Sequence, residues 1–305
     1  MAEDGNKALT WDDLPWQARL LAVPFWLLRF LPFPLLRWLG VALGELLYLV
    51  PSRRRVGLRN LELCFPERTL AERRRLLRGH YHAFGACLLS YGILWFSRPA
   101  RLERLVVREG YEHYLAIQGR PIIALAPHFV GLDFGGIRHT LDHWGASIYT
   151  STRDNPFDLL LRFGRSRFGP PLLFRRTDGI RQVVRAMRKG ASLYYLPDQD
   201  LGPSESIFVP FFGVSTATVP ALSRLAQLSN AAVVPMVTTL EGNRFVTRFY
   251  PAWEQFPSDD AEADTRRMNA FIEARVLECT PQYFWLHRRF KTRPPGEPDR
   301  YGRKG

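Results

Sequence analysis

Strand and helix patterns alternate along this 305-residue chain from about residue 104 onward, and this alternation restricts its fold most strongly. Apolar runs of strand length occur at 121–126, 192–196 and 231–237, and segments with helical spacing of apolar residues separate them. Repeated βα units favour a mainly parallel sheet with helices packed on it. The sequence therefore predicts an α/β fold, with a largely parallel sheet covered by helices, over residues 53–305.

The N-terminal part has a different composition. Residues 14–50 are rich in Leu, Trp, Phe and Val, but arginines, prolines and Glu45 keep every uncharged stretch well below the ~20 residues that cross a bilayer. Arginines spaced among aromatic residues favour a helix in the membrane interface or a short tilted span, and a pair of ordinary core helices is the alternative. We predict that residues 1–52 form a membrane anchor and that Arg53–Arg55 lie on the cytoplasmic side.

The chain is strongly basic, with 42 Lys and Arg against 29 Asp and Glu and a net charge of +13. This excess suits an anionic partner, which could be a phospholipid surface, a phosphorylated substrate, an acidic carrier protein or nucleic acid. The cysteines Cys64, Cys87 and Cys279 are scattered and lack metal-binding spacing, which fits a reducing compartment without structural disulfides.

A histidine and an aspartate follow the first buried strand. His128 comes directly after the run 121–126, and Asp133 lies five residues further on. A histidine can take a proton from an attacking hydroxyl, and a carboxylate can fix its tautomer. The two side chains can meet if His128 lies in the turn before a helix, and we expect Gly131 to permit that turn. We predict that His128 is a general base oriented by Asp133, and a structural histidine is the alternative.

Two more polar clusters follow strands and should reach the same sheet edge. Arg175 and Arg176 precede a helix that Asp178 can cap, so Arg176 and nearby backbone N–H groups could hold a phosphate or an oxyanion; an exposed basic helix start is the alternative. Asp198 and Asp200 form an Asp-x-Asp pattern. Such a pattern could bind a metal ion, but the sequence shows no evident third ligand. Alternatively, the two carboxylates could orient His128 or an arginine.

The remaining candidates lie in the last third of the chain. Phe211 and Phe212 could line an apolar acyl slot or belong to the core. The segment 285–293 combines aromatic residues with Arg288, Arg289, Lys291 and Arg293, a pattern found in sites for nucleic acids and phosphorylated lipids. Because four close cations repel one another, we expect the cluster to face an anion near the strand ends.

At these residues the chain resembles the lipid A biosynthesis acyltransferases, late acyltransferases of the Gram-negative inner membrane. The resemblance is carried by five segments, 59–67, 128–133, 197–202, 209–212 and 285–294. The last is far more specific than the His-x4-Asp pattern. The closest similarity is to the Kdo2-lipid IVA lauroyltransferase branch. Glycerolipid acyltransferases, the wider relatives, usually carry Pro-Glu-Gly where this chain has Pro197-Asp198-Gln199-Asp200.

The resemblance implies transfer of a fatty acyl chain from acyl carrier protein to a hydroxyl of a lipid A precursor, without a metal or cofactor. It implies His128 as base, Asp133 as its orienter and Arg176 as oxyanion or phosphate ligand. Substrate contacts are expected at Arg175, Asp198, Asp200, Phe211, Phe212, Arg288 and Arg289. The expected partners are the carrier protein, the anionic acceptor and inner-membrane lipids rather than nucleic acid, with the catalytic domain on the cytoplasmic side. Two alternatives are an acyltransferase for another membrane glycolipid or lysophospholipid, and a non-catalytic basic membrane or nucleic-acid binder.

Overall fold

The computed structural model describes residues 9–149, 155–169 and 172–302, and of Thr177 the backbone alone. The helices are α1 Trp16–Leu28, α2 Phe33–Tyr48, α3 Pro51–Cys64, α4 Leu70–Phe96, α5 Pro99–Leu105, α6 Glu112–Leu115, α7 Leu132–Thr140, α8 Pro156–Arg165, α9 Ile180–Arg188, α10 Ala221–Ser229 and α11 Ala261–Glu278. The strands are β1 Val106–Glu109, β2 Ile122–Leu125, β3 Gly145–Tyr149, β4 Leu172–Arg175, β5 Ser192–Tyr195, β6 Ile207–Phe211, β7 Val214–Thr218, β8 Ala232–Glu241 and β9 Arg244–Phe249.

Seven of these strands form one sheet in the order β1-β9-β8-β2-β5-β3-β4. All neighbouring pairs are parallel except β8 and β9, which are antiparallel. This confirms the predicted α/β fold with a largely parallel sheet. Strands β6 and β7 form a separate antiparallel hairpin that the sequence reading did not predict.

Helices cover both faces of the sheet. Ile123 and Leu193 share a core cluster with side chains of α9, α10 and α11. Their neighbours Ala124 and Tyr194 point the other way, and Tyr194 packs on α7, where its hydroxyl donates to the Leu132 carbonyl at 2.9 Å. Because successive strand residues point to opposite faces, α7 and α9 lie on opposite sides of the sheet.

The N-terminal helices α1 and α2 pack on α4 and share a second core cluster with α7 and α8. Contact between α2 and α4 is close because Gly40 lies on the backbone of Gly85 and Ala86, where an added Cβ would clash. The opposite sides of α1 and α2 expose large apolar side chains. The membrane anchor and the domain boundary after residue 52 stay predictions, and residues 1–8 lie outside the described part.

Among the described residues, no single helix has both the length and the apolar character needed to cross a membrane. The pair α2 and α3, bent by 94° at its break, meets those requirements when the two helices are taken together.

Candidate active site

The loop that follows β2 is fixed by backbone hydrogen bonds on both sides. Ala126 N–H donates to the Tyr195 carbonyl of β5 at 2.8 Å. On the other side, Phe284 N–H donates to the His128 carbonyl at 2.8 Å, and Val130 N–H donates to the Gln282 carbonyl at 2.9 Å. The C-terminal segment is therefore part of the frame that holds His128 at the carboxyl edge of the sheet.

Asp198 is the hydrogen-bond partner of the His128 ring. Its Oδ1 lies 2.7 Å from His128 Nδ1, and both carboxylate oxygens accept from the His128 backbone N–H, at 3.0 and 3.2 Å. The Asp198 side chain is fully buried, whereas that of His128 is 18% exposed. Burial raises the pKa of the Asp198 carboxyl, but the charge and hydrogen bonds of His128 outweigh it and hold that pKa below its ordinary value.

The arrangement fixes one tautomer of the ring. A buried, ionised carboxylate accepts hydrogen bonds, so His128 Nδ1 carries the proton and Nε2 is left with its lone pair. Gln199 Nε2 lies 3.0 Å from His128 Nε2, so the amide donates to that lone pair. The proton-accepting nitrogen of His128, Nε2, thus faces the position that the Gln199 amide occupies.

Asp133 has different partners from those expected. Its Oδ2 accepts from the Tyr91 hydroxyl at 2.6 Å, and its Oδ1 accepts from Arg165 Nε at 2.8 Å, with Arg165 Nη2 also at 2.7 Å. Within the described part of the chain, the ring of His128 is hydrogen-bonded to Asp198 and not to Asp133. The prediction that Asp133 orients the His128 ring is wrong in this structure, because the loop after β5 places Asp198 at Nδ1 instead.

Gly131 does not serve the role expected of it. Its φ is −81°, which any residue can adopt. What requires glycine is space: a Cβ there would lie 2.7 Å from the Thr238 carbonyl oxygen, and one at Gly135 would lie 2.0 Å from Thr238 Oγ1. These two glycines allow the first turns of α7 to pack directly on β8, which places Asp133 next to the base loop.

Arg175 and Arg176 are placed differently from the prediction. Arg176 lies in a short 3-10 turn before α9, and it donates to Glu205 Oε2 from Nη2 at 2.6 Å and from Nε at 3.2 Å. The N-cap of α9 is Gly179, at φ +84°, whereas the Asp178 carboxylate accepts from the Arg175 backbone N–H. Arg175 is exposed and donates from Nε to the Tyr149 hydroxyl. An oxyanion role for Arg176 stays a prediction, and it would require Glu205 to give up this ion pair.

Asp200 and Phe211, predicted to contact substrate, serve the frame instead. Asp200 is buried, and its carboxylate accepts from the Thr292 backbone N–H and hydroxyl, each at 2.8 Å, and from Gly202 N–H at 3.0 Å. Phe211 is buried in the core beside Tyr283 and Phe290. Phe212 is partly buried against Phe65, at φ +49°. Core packing, the alternative for the phenylalanine pair, therefore accounts for Phe211.

The C-terminal basic segment is not one exposed cluster. Arg289 is buried and donates to the Ala217 carbonyl at 2.7 Å and to Thr218 Oγ1 at 2.9 Å. Arg293 donates to the Ser215 carbonyl at 2.6 Å and forms an ion pair with Glu297. Arg288 is exposed and stacks on Tyr301. The expectation that these cations face one anion is wrong for Arg289 and Arg293, because each guanidinium donates to a backbone carbonyl of β7 instead.

Three residues of the site were missed in the sequence. Arg165, Tyr91 and Gln199 touch Asp133 or His128, yet Arg165 and Tyr91 come from α8 and α4, 32 and 42 residues from Asp133. Nothing in their local pattern distinguishes them from surface and core residues. Gln199 lies between the two aspartates of a motif that was singled out, so its position was a usable signal. Among the described residues, no group of three or more His, Cys, Asp or Glu side chains is arranged to hold a metal ion.

Two other histidines are buried away from the site and should make stability depend on pH. Burial lowers the pKa of His80 to about 4 and that of His139 to about 3, so both are neutral when folded. The unfolded chain binds these protons at about pH 6.5, so stability is full above that pH and falls below it. From pH 7 to pH 5 we expect a loss on the order of 2 kcal/mol per histidine, measured by urea unfolding. A His80→Gln variant should have a shallower slope, and a slope equal to that of the wild type would contradict this account.

The amino-acid sequence of this chain is similar to those of known bacterial proteins over most of its length. The chain matches the family model of the bacterial lipid A biosynthesis acyltransferases over residues 14–292. It is 36% identical to the lipid A biosynthesis lauroyltransferase of Escherichia coli (strain K12) over 283 residues, which cover 90% of this chain and 92% of that protein. It is 32% identical to the lipid A biosynthesis palmitoleoyltransferase of the same strain over 282 residues, covering 90% and 91%.

Among solved structures, the 1-acyl-sn-glycerophosphate acyltransferase of Thermotoga maritima covers 81% of this chain and 96% of its own, at 14% identity and a TM-score of 0.38. The sequence matches span the base loop and the segment around Asp198, and they confirm the family predicted from the motifs. The chain is therefore an acyltransferase that belongs to the bacterial lipid A biosynthesis acyltransferases.

Proposed function

We propose that this enzyme transfers a fatty acyl chain from acyl carrier protein to a hydroxyl group of a lipid A precursor. The observation that carries the proposal is the His128 ring, held by the buried Asp198 carboxylate with Nε2 left as a proton acceptor. A base of this kind suits attack by a hydroxyl on a thioester. The names of the relatives, which are lauroyl- and palmitoleoyltransferases of lipid A biosynthesis, supply the substrate class.

In the proposed reaction the acceptor hydroxyl takes the place of the Gln199 amide beside His128 Nε2. The hydroxyl oxygen attacks the thioester carbonyl while Nε2 takes its proton, and Asp198 stabilises the imidazolium that forms. When the tetrahedral intermediate collapses, the carbon–sulfur bond breaks and the thiolate takes the proton from Nε2. The products are the new ester and the free carrier thiol, and the ring returns to its starting tautomer.

Asp133 and Arg165 have a supporting part in this proposal. Arg165 is held by the carboxylate of Asp133, which lies in the first turn of α7, five residues after His128. A guanidinium fixed in this way can stabilise the oxyanion or a phosphate of the acceptor. Both arginines form an ion pair, Arg165 with Asp133 and Arg176 with Glu205; we prefer Arg165 because its partner lies in the first turn of α7, directly after the loop that carries His128.

We propose that the enzyme associates with the inner membrane from its cytoplasmic side; the exposed side of α1 and α2 supports the membrane contact. On α1, Trp16 is 69% exposed and Leu20 63%; on α2, Trp38 is 67% and Leu46 64% exposed. The spacing within each pair puts the two side chains on one side of their helix. Large apolar side chains on two neighbouring helices form a surface that can enter the headgroup region of a bilayer.

Two acidic substitutions on this surface should weaken membrane binding. We expect Trp38→Glu/Leu46→Glu to lower partitioning onto vesicles of anionic phospholipid at least ~10-fold, because moving each side chain out of water contributes about 1.5–3 kcal/mol. Flotation with vesicles measures it. The control Gln118→Glu/Gln255→Glu makes the same charge change at exposed positions away from α2 and should bind like the wild type. Equal partitioning of the two variants would contradict membrane contact through α2.

Mass spectrometry of lipid A tests the function as a whole. A strain that lacks this gene should lose one secondary acyl chain, and the mass difference would identify that chain. Wild-type protein should restore it and the His128→Ala variant should not. Unchanged lipid A, with a change in another glycolipid or in phospholipids, would instead establish the alternative acceptor.

A further inference from the structure

A shallow groove of about 390 Å³ lies between α9 and α10 on the protein surface. Its lining consists of three apolar residues, Ile180, Val184 and Leu228, and four cationic residues, Arg181, Arg185, Arg188 and Lys189. Leu228 is 41% exposed although it is a large apolar residue. The groove therefore combines an apolar floor with a rim of positive charge.

The cations lie on one side of α9. Arg181, Arg185 and Arg188 follow one another at intervals of four and three residues, which places them along one stripe of the helix. All three are exposed, and α9 itself contains no acidic residue. Like charges at such spacing destabilise a helix, so the stripe is unfavourable for the free protein.

Local carboxylates do not compensate this charge. From residue 178 to residue 231 the chain has four acidic residues: Asp178, whose carboxylate accepts from the Arg175 backbone N–H, and Asp198, Asp200 and Glu205. Asp198 and Asp200 are buried, and Glu205 is bonded to Arg176. Within the described ranges, none of the four groove cations forms an ion pair with a carboxylate, although Arg188 donates to the Leu228 carbonyl at 2.7 Å. The positive charge of the groove is thus left without a carboxylate partner within the described part of the chain.

The position of the groove favours a soluble partner over the bilayer. α9 packs on the sheet face opposite α7, whereas the exposed apolar helices α1 and α2 share their core cluster with α7. The first residues of α9 follow β4 at the carboxyl edge of the sheet, the edge where His128 lies. A partner seated on α9 would therefore have one end at the edge of the sheet that carries the active site, with β5 and β3 lying between β4 and the strand that leads to His128.

We propose that this groove docks the acyl carrier protein, by receiving an acidic amphipathic helix of the carrier. Carboxylates of that helix would face Arg181, Arg185, Arg188 and Lys189, and its apolar side chains would cover Leu228 and Val184. This inference rests on the proposed function for the identity of the donor, and it adds the surface through which the donor is recognised.

The test is a double charge reversal, Arg181→Glu/Arg185→Glu, in the full-length enzyme. We expect the KM for dodecanoyl acyl carrier protein to rise at least ~10-fold, and less at high salt, where exposed charges are screened. The KM for the lipid acceptor and the rate with S-dodecanoyl-pantetheine, which lacks the carrier, should stay within about twofold. The control Arg74→Glu/Arg75→Glu makes the same charge change on exposed residues of α4 and should leave the carrier KM unchanged.

Direct binding separates this inference from the proposed function. Titration of unacylated carrier protein requires no turnover, so weaker binding by the double variant than by wild type supports docking even if no acyl transfer is detected. Carrier binding and carrier KM equal to wild type, in a folded variant, would overturn the proposal. Reduced binding to anionic vesicles with unchanged carrier binding would also overturn it and identify the groove as a lipid contact. The milder Arg181→Gln/Arg185→Gln variant serves if charge reversal impairs folding.

Discussion

Replacing His128 by alanine should lower kcat for acyl transfer at least ~100-fold, the scale expected for the loss of a positioned general base. The reason is structural: the ring presents Nε2 to the acceptor, and among its hydrogen-bonding neighbours Asp198 is an anion engaged at Nδ1 and Gln199 is an amide of negligible basicity. Neither can take the hydroxyl proton in its place. The rate should be measured with purified enzyme, acyl carrier protein as donor and the lipid acceptor above its KM.

The matched control is His113→Ala, which removes an imidazole that is only partly buried, at the start of α6. Its activity should stay within about twofold of wild type. Thermal unfolding must show that His128→Ala is folded. The substitution keeps the His128 carbonyl and N–H, which form two of the hydrogen bonds that hold the loop. A folded His128→Ala variant with near-normal acyl transfer would refute the general-base mechanism.

The strand-end position of the site could be predicted from the sequence because it depends on local patterns. The buried run 121–126 predicts β2, and the rule that ligands bind at the carboxyl ends of parallel strands then selects His128 and Asp198. Strand direction is not encoded in hydrophobic periodicity, so the antiparallel pairing of β9 with β8 was not predictable in this way. The β6–β7 hairpin was missed for a similar reason: Phe211 and Phe212 are interpreted as an acyl slot or as core, and their own pattern does not show which strand they pair with.

The partner of the His128 ring depends on a long-range contact. Asp133 is five residues away and Asp198 is seventy, so spacing alone favours Asp133. In the fold, β2 pairs with β5, and Leu125 lies beside Tyr195, so the loops that follow the two strands meet. Asp198 is the third residue after Tyr195 and reaches Nδ1 through that pairing. A prediction that includes the order of the strands in the sheet would favour Asp198 over Asp133.

Buried arginines were the hardest residues to predict. Arg289 is a charged residue with Arg288 and Lys291 close to it in the sequence, a pattern typical of an exposed surface, yet it is 3% exposed. A buried guanidinium is tolerated better where carbonyl and hydroxyl oxygens accept from it. Here the Ala217 carbonyl and the Thr218 hydroxyl of β7 accept from Nη1 and Nη2, whereas Nε has no partner among the described residues. Those oxygens become available because the β6–β7 hairpin, itself not predicted, turns β7 toward the C-terminal segment.

Replacing Asp198 by asparagine should cost more activity than the same change at Asp133. The asparagine oxygen can keep the bond from the His128 backbone N–H, and its amide group would then face Nδ1. An amide donates to Nδ1, so the ring would carry its proton on Nε2 and could not accept one from the acceptor hydroxyl. We expect kcat to fall roughly 100-fold or more, with both KM values within about threefold of wild type.

The pH–rate profile distinguishes this positioning role from a structural one. The interaction with His128 holds the pKa of Asp198 below its ordinary value and is mutual, so removing the carboxylate charge in Asp198→Asn should move the acidic limb of the rate profile to lower pH. Asp133→Asn should leave that limb unchanged, because Asp133 is bonded to Arg165 and Tyr91, and its effect should be smaller than that of His128→Ala. If instead Asp133→Asn moves the acidic limb and Asp198→Asn does not, the ring is oriented by Asp133 during turnover and the assignment of Asp198 is wrong.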